Sequence, residues 1–401
     1  MFHQMGILSQ AFAGHLDASP FVSTGPSPPE CELQFVSNRT LVLRYSLRLS
    51  ILQANMTNIL YGVNGEGSGH SSRAREMIAH LEEQGHVVHV VSFDRGLKNL
   101  AADFDVTEVF GMRLATIHNR VRYGRTVLRN LLTVPRAAKS ARTLNHLAEK
   151  WGIQLVITDF EPLSCHTGRK LGLPVLSIDN QHCLTYGEIS YPREYRKEAA
   201  ATKIVTRLMT PSADAYFVTS FFSARPKNKR TFFFPPILRR TVLESAPVDG
   251  DAVVVYITSP ADELIDILKG IRQNFVCYGL NREGREGNLW FKKPSQAEFL
   301  KDLTIARAVV ANSGFSLISE ALHLGKPYLA WPVKHQFEQV FNAYYIGKMG
   351  YGAYWDDLTR EKVESFLFNL DAYRENLTRY PRNDNSSIFE KMDEFISKYA
   401  R

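Results

Sequence analysis

Two turns rich in glycine and serine each lie between a short apolar run and an amphipathic segment, so each could present backbone N–H groups to an anion. The first, residues 62–70, reads Gly-Val-Asn-Gly-Glu-Gly-Ser-Gly-His and ends at His70, before a helix expected to begin at Ser71 or Ser72. Glycines let the backbone approach a ligand closely, and a helix N-terminus favours negative charge. The spacing differs from G-x-G-x-x-G and no P-loop lysine is present, so this turn is not a dinucleotide fingerprint.

His70 and Asp159 are the candidate catalytic residues. Each follows a predicted buried strand, so both are expected at the carboxyl edge of a parallel sheet, where open α/β sheets bind ligands. His70 could be a general base, and Asp159 could orient the imidazole and stabilise its cation. Two structural alternatives stay open, because His70 could cap or pack the turn and Asp159 could cap the helix after Pro162. The run 177–182, Ser-Ile-Asp-Asn-Gln-His, is a weaker candidate for the acceptor side.

The second turn lies in segment 308–332, whose pattern reads strand, Ser-Gly turn at 313–314, helix, glycine and strand. Amides at the start of this helix could bind a diphosphate without a metal or a lysine. Glu320, two turns along, could bond ribose hydroxyls. Three residues of the polar loop after Pro332 could contact sugar hydroxyls: His335, Glu338 and Gln339.

The elements that must position these residues alternate between strands and helices over two similar halves. This alternation predicts βαβ units and parallel sheets. Residues 1–55 have scattered Ser, Pro and Gly without a helical period, so we expect an unfolded extension, with Met56 as the true initiator. We therefore predict an α/β fold with two Rossmann-like domains that face each other across a cleft, at 56–225 and 249–401, joined by a linker at 226–248.

Composition excludes several classes of protein. The chain has 401 residues, of which 44% are hydrophobic, enough for two cores. Cys31, Cys165, Cys183 and Cys277 form no close pair, which favours a reducing cytoplasm without a disulfide framework. The sequence contains neither an apolar run long enough to span a bilayer nor a recognisable export signal at its start, so we expect a cytoplasmic protein.

The net charge of +7 is concentrated in one segment, since no Asp or Glu occurs between Val109 and Ala148. Within it, apolar residues alternate with a basic set: Arg120, Arg122, Arg125 and Arg129. This run could bind an anionic membrane at its inner face, or it could be a solvated basic face beside a core-packing stripe. Nucleic acid is the weaker interpretation, because no binding motif or regular aromatic interleaving is present.

The run from Asn312 to Ala343 resembles the donor-binding signature of UDP-glycosyltransferases and of MurG-type N-acetylglucosaminyltransferases. Gly-Ser-Gly-His70 is similar to the glycine-histidine element of the same enzymes, so the resemblance extends from about Met56 to the C-terminus. It implies the GT-B fold, with an N-terminal acceptor domain and a C-terminal nucleotide-sugar domain that includes the C-terminal helices. The donor-binding residues that it implies are Gly67, Ser68, Gly69, Asn312, Ser313, Gly314, Phe315, Ser316, Glu320, His335, Glu338 and Gln339.

This sequence departs from those families at three positions. Asn312 stands where plant-type enzymes have a phosphate-binding histidine, no proline follows His70, and Val340 replaces the second glutamine of the MurG pattern. The identity of the sugar is therefore left open, whereas nucleotide binding is expected.

The resulting hypothesis is an inverting, metal-independent hexosyl transfer from a nucleotide sugar, with UDP as the expected nucleotide, to an acceptor hydroxyl. His70, oriented by Asp159, would remove the acceptor proton, and no cofactor is expected because the nucleotide sugar is a cosubstrate. The acceptor is unidentified, and a lipid-linked acceptor is one candidate. The alternatives are a nucleotide-sugar 2-epimerase of the same fold, a noncatalytic nucleotide-sugar-binding protein and, more distantly, an NAD enzyme with Asp94 as its ribose ligand.

Overall fold

A computed structural model describes residues 56–111, 116–117, 120–121, 133–258, 261–333 and 336–399. In this part of the chain, two α/β domains are each built on a largely parallel sheet, which confirms the predicted fold class. The predicted extension 1–55 lies outside the described residues, as do His335 and the side chains of Arg120, Arg122, Arg125 and Arg129.

Seven parallel strands form the sheet of the first domain, within the described residues. The strands of this half are β1 (Asn58–Val63), β2 (Val87–Ser92), β3 (Val106–Glu108), β4 (Thr116–Ile117), β5 (Arg120–Val121), β6 (Leu155–Asp159), β7 (Val175–Asp179), β8 (Gly187–Glu188), β9 (Ala215–Thr219), β10 (Arg225–Pro226) and β11 (Thr231–Phe234). The sheet order is β11-β9-β7-β6-β1-β2-β3, while β4 pairs with β5 and β8 with β10 in short antiparallel ribbons. Every residue of β6, β7 and β9 is buried, as expected for strands covered on both faces.

Helices cover both faces of this sheet. They are α1 (Gly69–Glu83), α2 (Asp94–Leu100), α3 (Val134–Lys150), α4 (Pro162–Leu171), α5 (His182–Tyr186) and α6 (Arg196–Met209), followed by the short α7 (Arg240–Leu243) that leads to the second domain. Leu144 of α3, Cys165 of α4 and Ala199 of α6 share one core, whereas Met77 and Ile78 of α1 belong to a separate one. Hence α3, α4 and α6 pack on one face and α1 packs on the other.

The second domain repeats this plan. Its elements are β12 (Val253–Tyr256), α8 (Asp262–Lys269), β13 (Phe275–Tyr278), β14 (Gly284–Glu286), β15 (Leu289–Phe291), α9 (Gln296–Thr304), β16 (Ala308–Ala311), α10 (Phe315–His323), β17 (Tyr328–Ala330), α11 (Phe337–Met349), β18 (Gly352–Tyr354), α12 (Arg360–Phe368), α13 (Leu370–Leu377) and α14 (Ser386–Tyr399). Among the described residues its sheet order is β14-β15-β13-β12-β16-β17-β18, with β14 antiparallel to β15. The remaining neighbours pair in parallel.

Both sheets change winding direction beside their first strand. In the first domain β1 lies between β2 and β6, and in the second β12 lies between β13 and β16. At such a switch point the loops after two adjacent strands lead in opposite directions, which leaves a crevice between them. Doubly wound sheets bind their ligands in this crevice. The two predicted turns follow β1 and β16, so each turn lies at the switch point of its own sheet.

The domain division differs from the prediction at two places. The strand β11 falls inside the predicted linker 226–248, yet it pairs with β9 as the edge of the first sheet. The last helix, α14, was expected to belong to the second domain, but Met392 and Phe395 are buried with the α1 side of the first domain. Nε2 of His80 lies 3.0 Å from Oδ1 of Asp393 in the same interface. The chain therefore crosses back to the first domain after completing the second.

The described cysteines are structural. Burial raises the pKa of Cys165, Cys183 and Cys277 to about 12, so these thiols remain protonated and unreactive at neutral pH. In the described part of the chain, no helix combines the length and the apolar character that a bilayer span needs.

Replacing Met392 by Ala should reduce the free energy of unfolding by about 2–5 kcal/mol, because this fully buried side chain fills the core beneath α14. Urea denaturation measures the loss. The exposed Ser397 on the same helix provides the control, since Ser397→Ala should change the value by at most about 0.5 kcal/mol. Equal costs for the two variants would show that α14 does not pack on the first domain.

Candidate active site

A cleft of about 790 Å³ lies between the two domains. Residues from both halves line it, and they include most of the predicted site: Gly67, Ser68, Gly69, His70, Ser313, Gly314, Phe315, Ser316, Glu320, Glu338 and Gln339. The structure thus brings the two predicted turns, separated by more than half of the chain, into one cavity.

The first turn is organised by the side chain of Asn64, directly after β1. Its Oδ1 accepts a hydrogen bond from the backbone N–H of Glu66 at 2.8 Å, and its Nδ2 donates to the carbonyl of Phe160 at 3.0 Å. Helix α1 begins at Gly69, two or three residues before the predicted start at Ser71 or Ser72, so His70 belongs to the first helical turn. The helix therefore fixes the backbone from which the imidazole projects.

His70 and Asp159 are in direct contact. Nδ1 of His70 lies 2.6 Å from Oδ1 of Asp159, whose carboxylate is fully buried at the end of β6. Because an ionised carboxylate only accepts hydrogen bonds, this contact favours the neutral tautomer in which Nδ1 carries the proton and Nε2 has the lone pair. The side chain of His70 is 12% exposed, so Nε2 can be reached from the cleft. This arrangement is chemically suited to general-base catalysis.

The alternative role of Asp159 as a helix cap is wrong. Glu161 caps α4 instead, since its two carboxylate oxygens accept from Leu163 N at 2.9 Å and Ser164 N at 2.6 Å. Burial raises the pKa of Glu161, although these hydrogen bonds oppose the shift. Between the two acidic residues, Phe160 has a φ of 55°, a conformation that is uncommon outside glycine and that often marks functional sites.

Arg73 is the main site residue that the sequence analysis did not identify. Its Nε donates to Oδ2 of Asp159 at 2.6 Å, its Nη2 donates to Oδ1 at 2.5 Å, and its Nη1 donates to Oδ1 of Asn180 at 2.8 Å. Burial lowers the pKa of the guanidinium, but the charge and hydrogen bonds of Asp159, together with the charges of Asp179 and Tyr61, outweigh burial, so the pKa of Arg73 is raised. Arg73 follows His70 by three positions, a helical spacing that could have placed both on one face.

The second turn leaves amides free of side-chain caps at the start of α10. Gly314 is its N-cap residue, without a side-chain cap hydrogen bond, and the buried Oγ of Ser313 has no hydrogen-bond partner in the described part of the chain. A Cβ added at Gly314 would meet no atom within 4 Å, whereas one added at Gly69 would lie 2.5 Å from Oγ of Ser316. The N-termini of α1 and α10 therefore converge, and both favour an anion between them.

Other predicted donor residues already have protein partners. Both carboxylate oxygens of Glu320 accept hydrogen bonds at 2.8 Å from Arg239, a second residue that the sequence analysis did not identify. Oε1 of Glu338 accepts from Nδ2 of Asn180 at 2.8 Å, across the domain boundary. Oε1 of Gln339 accepts from the backbone N–H of Val333 at 2.9 Å.

Asn312 does not line the cleft in the way that the resemblance implies. Its Nδ2 donates to the carbonyl of Trp331 at 3.0 Å, and its Oδ1 accepts from the backbone N–H of Thr258 at 3.3 Å. The side chain thus ties together the loops that follow β12 and β17. Both polar groups of the Asn312 side chain therefore have partners within the protein.

The weaker candidate run 177–182 divides into two parts. Asp179 and His182 are buried and paired, with 2.7 Å between Oδ2 and Nδ1. Burial raises the pKa of Asp179, but the charge of His182 and the hydrogen bonds from His182 and Ser177 lower it to about 2. Asn180 and Gln181, between them, line the cleft. The buried pair therefore supports the loop that presents these two amides.

Three aromatic side chains line the cleft on the second domain. The ring of Phe299 packs at right angles against Tyr278, with centroids 5.1 Å apart, and lies 5.3 Å from the ring of Tyr256. Aromatic faces of this kind can pack against a planar heterocycle. The sequence analysis did not single out these residues, since they come from three separate elements.

Asp159→Asn should lower the free energy of unfolding by about 3–5 kcal/mol, because it leaves the buried Arg73 without its counter-charge. Thermal or urea denaturation measures this loss. The control is Asp103→Asn, which breaks an exposed pair with Arg75 on the same helix as Arg73 and should cost at most about 1 kcal/mol. If the two losses are equal, Asp159 and Arg73 are not a buried ion pair.

Comparison with known proteins agrees with this geometry. A family model described as Glycosyl transferase family 1 matches residues 57–371. LpCGTa in complex with UDP is 16% identical over 86% of this chain and 100% of its own, with a TM-score of 0.61. Phytolacca americana UGT2 complexed with UDP-2fluoro-glucose and pterostilbene is 13% identical over 86% of this chain and 99% of its own, with a TM-score of 0.62. The glycosyltransferase SnogD from Streptomyces nogalater is 15% identical over 85% of this chain and 99% of its own, with a TM-score of 0.56.

At these identities the solved structures establish the fold, while the family model covers most of the chain. No curated protein sequence gives a significant match. Because the family model spans both sheets and the cleft between them, the chain belongs to glycosyl transferase family 1 and is a glycosyltransferase with the GT-B fold.

Proposed function

We propose that the chain transfers a sugar, expected to be a hexose, from a UDP sugar to an acceptor hydroxyl with inversion at the anomeric carbon. The observation that carries this proposal is the 2.6 Å contact between His70 and Asp159 in the cleft where the N-termini of α1 and α10 converge. A general base and an anion site then share one cavity, which is what displacement of a nucleoside diphosphate requires.

The proposed reaction is a single displacement. Nε2 of His70 removes the proton of the acceptor hydroxyl as the acceptor oxygen forms a bond to the anomeric carbon. The bond from that carbon to the diphosphate oxygen breaks, and its electron pair leaves with the diphosphate. Asp159 stabilises the imidazolium through the proton on Nδ1. Attack from the face opposite the leaving group inverts the configuration.

The start of α10 is the proposed diphosphate site. Its uncapped amides and the Oγ of Ser313, which has no hydrogen-bond partner among the described residues, are donors. The open space beside Gly314 lets an anion approach the backbone. Gly67, Ser68 and Gly69 add the positive end of α1 from the opposite side. Since these donors can hold the charge of the leaving group, we propose that the reaction needs no metal ion or other cofactor.

The remaining donor contacts are proposed from the cleft lining. The aromatic faces of Tyr256 and Phe299 are suited to the nucleobase, while the buried Tyr278 supports Phe299 from behind. Glu320 would share its oxygens between ribose hydroxyls and Arg239. Glu338 and Gln339 would contact the sugar, together with His335 from outside the described residues. The UDP and UDP-2fluoro-glucose named for two similar structures support this choice of donor.

Acceptor and location remain part of the proposal. A lipid-linked acceptor and binding to an anionic membrane through Arg120, Arg122, Arg125 and Arg129 are consistent with the basic residues that continue along α3. In that helix Arg136, Lys139 and Arg142 are exposed. A surface of this charge favours anionic lipid over neutral lipid.

Product analysis separates the proposed transfer from the alternatives. A 2-epimerase of the same fold would convert one nucleotide sugar to another without any acceptor, and a noncatalytic binding protein would leave the donor unchanged. The family assignment disfavours the NAD enzyme, whose ribose candidate Asp94 is not among the residues that line the cleft.

His70→Ala should lower kcat by about 10²–10⁴-fold, because the acceptor hydroxyl loses its proposed base, while UDP affinity stays near wild type. Turnover is measured in EDTA with a panel of UDP sugars, and UDP binding is measured by calorimetry. His146→Ala, at an exposed position of α3, is the matched control and should retain full turnover. Wild-type turnover in His70→Ala would disprove the base assignment, and loss of wild-type activity in EDTA would disprove metal independence.

Gly314→Ala should weaken UDP binding by about tenfold or more, a loss of about 1.4 kcal/mol per factor of ten, because the methyl group would occupy the proposed diphosphate position. Folding should be unaffected, since the φ of −71° suits alanine and the added carbon meets no protein atom. Gly270→Ala, with a φ of −80° outside the cleft, is the control and should bind UDP normally. Unchanged UDP affinity in Gly314→Ala would show that the diphosphate does not bind at the start of α10.

A further inference from the structure

Asn180 connects the two halves of the site. Its Oδ1 accepts from Nη1 of Arg73, and its Nδ2 donates to Oε1 of Glu338, each at 2.8 Å. Arg73 belongs to the first domain and Glu338 to the second, so this amide forms a side-chain path across the cleft. Because a guanidinium only donates and a carboxylate only accepts, the orientation of the amide is determined by its partners.

The path matters because Nη2 of Arg73, which carries two N–H groups, lies beside two possible acceptors. Nη2 lies 2.5 Å from Oδ1 of Asp159 and 2.9 Å from Nδ1 of His70. In one arrangement Nη2 donates to Asp159 and not to the imidazole, so Nδ1 of His70 keeps its proton and Nε2 is a base. In the other arrangement an N–H group of Nη2 points at Nδ1, the imidazole proton moves to Nε2, and the base is lost.

Asn180 holds Arg73 in the first of these arrangements. The two hydrogen bonds from Nε and Nη2 to Asp159 fix one edge of the guanidinium. The hydrogen bond from Nη1 to Asn180 fixes the other edge. The site is almost closed to water, since Arg73 is 5% exposed and Asn180 is 9% exposed. Without the amide oxygen, Nη1 would be a buried donor without a partner, which favours rotation of the whole group.

We propose that Asn180 is a positioning residue that keeps His70 in the Nδ1–H tautomer, and that Glu338 of the donor domain holds Asn180 in place for this task. The inference rests on the proposed function, because it concerns the same base. Glu338 retains its second oxygen for a sugar hydroxyl while its first oxygen holds Asn180. The base is therefore set for proton removal only when the donor domain makes this contact with the acceptor domain.

Nitrogen NMR of the full chain labelled with ¹⁵N-histidine tests the proposal without any substrate. The His70 resonances are assigned by their loss in His70→Gln, and the Nδ1 and Nε2 shifts report the tautomer. We expect the Nδ1–H form in the wild type and a shift towards the Nε2–H form in Asn180→Ala. Tyr195→Phe is the matched control, since it removes another hydrogen bond between the domains, from Tyr195 to Asp356, and should leave His70 unchanged.

Glu338→Ala removes the acceptor for Nδ2 of Asn180, whereas Glu338→Gln removes only the charge, because its side-chain oxygen can still accept this hydrogen bond. Glu338→Ala should therefore shift the His70 resonances when Asn180 is present and should have no effect in the Asn180→Ala background. Glu338→Gln should leave the tautomer unchanged, which separates the path from a through-space effect of charge. If Asn180→Ala keeps the wild-type tautomer, or if Glu338→Ala acts equally in both backgrounds, the proposal is overturned.

Turnover distinguishes this proposal from the proposed function. With an active UDP sugar, Asn180→Ala should lower kcat by about tenfold, which corresponds to the cost of one unsatisfied buried donor. Tautomer shifts without any sugar transfer in the wild type would refute the function and retain the positioning role of Asn180. Sugar transfer by the wild type, together with a His70 tautomer that does not change in Asn180→Ala, would support the function and refute the positioning role of Asn180.

Discussion

The carboxylate of Asp159 is the constraint on which the rest of the site depends. A fully buried carboxylate is stable only when its charge is paired and its oxygens accept hydrogen bonds. Arg73 supplies the charge, His70 supplies a further donor, and Asn180 fixes the outer edge of Arg73. The position of the His70 imidazole thus follows from the burial of a carboxylate at the end of β6.

Sequence patterns located the strand ends correctly, and with them the cleft that most of the candidate residues line. His70 and Asp159 could be paired from the sequence because they follow adjacent strands of a parallel sheet, whose carboxyl ends share one edge. The same reasoning brought Gly314 and Glu320 to the second sheet. These features depend on local periodicity and turn chemistry, which a single sequence records directly.

What the sequence did not reveal depends on tertiary partners. In the sequence, Arg73 cannot be distinguished from an exposed helical arginine, because its partner Asp159 is distant along the chain. Arg239, the partner of Glu320, lies in a segment that the sequence marks only as a break in the alternation of strands and helices. The amphipathic pattern of α14 indicates a helix with one buried face, but it does not say which domain covers that face. Asn312 occupies a donor position in the family signature, yet its bonds to neighbouring loops appear only in the folded chain.

The meeting of two helix N-termini at Gly69 and Ser316 has an electrostatic consequence for the catalytic cycle. Each end carries roughly half a positive charge, so the two repel each other until an anion lies between them. In the proposed reaction the nucleoside diphosphate that is released carries one more negative charge than the sugar ester that entered. The cleft would then hold its product more firmly than its donor, and departure of the nucleotide, instead of bond formation, would set the pace of the enzyme.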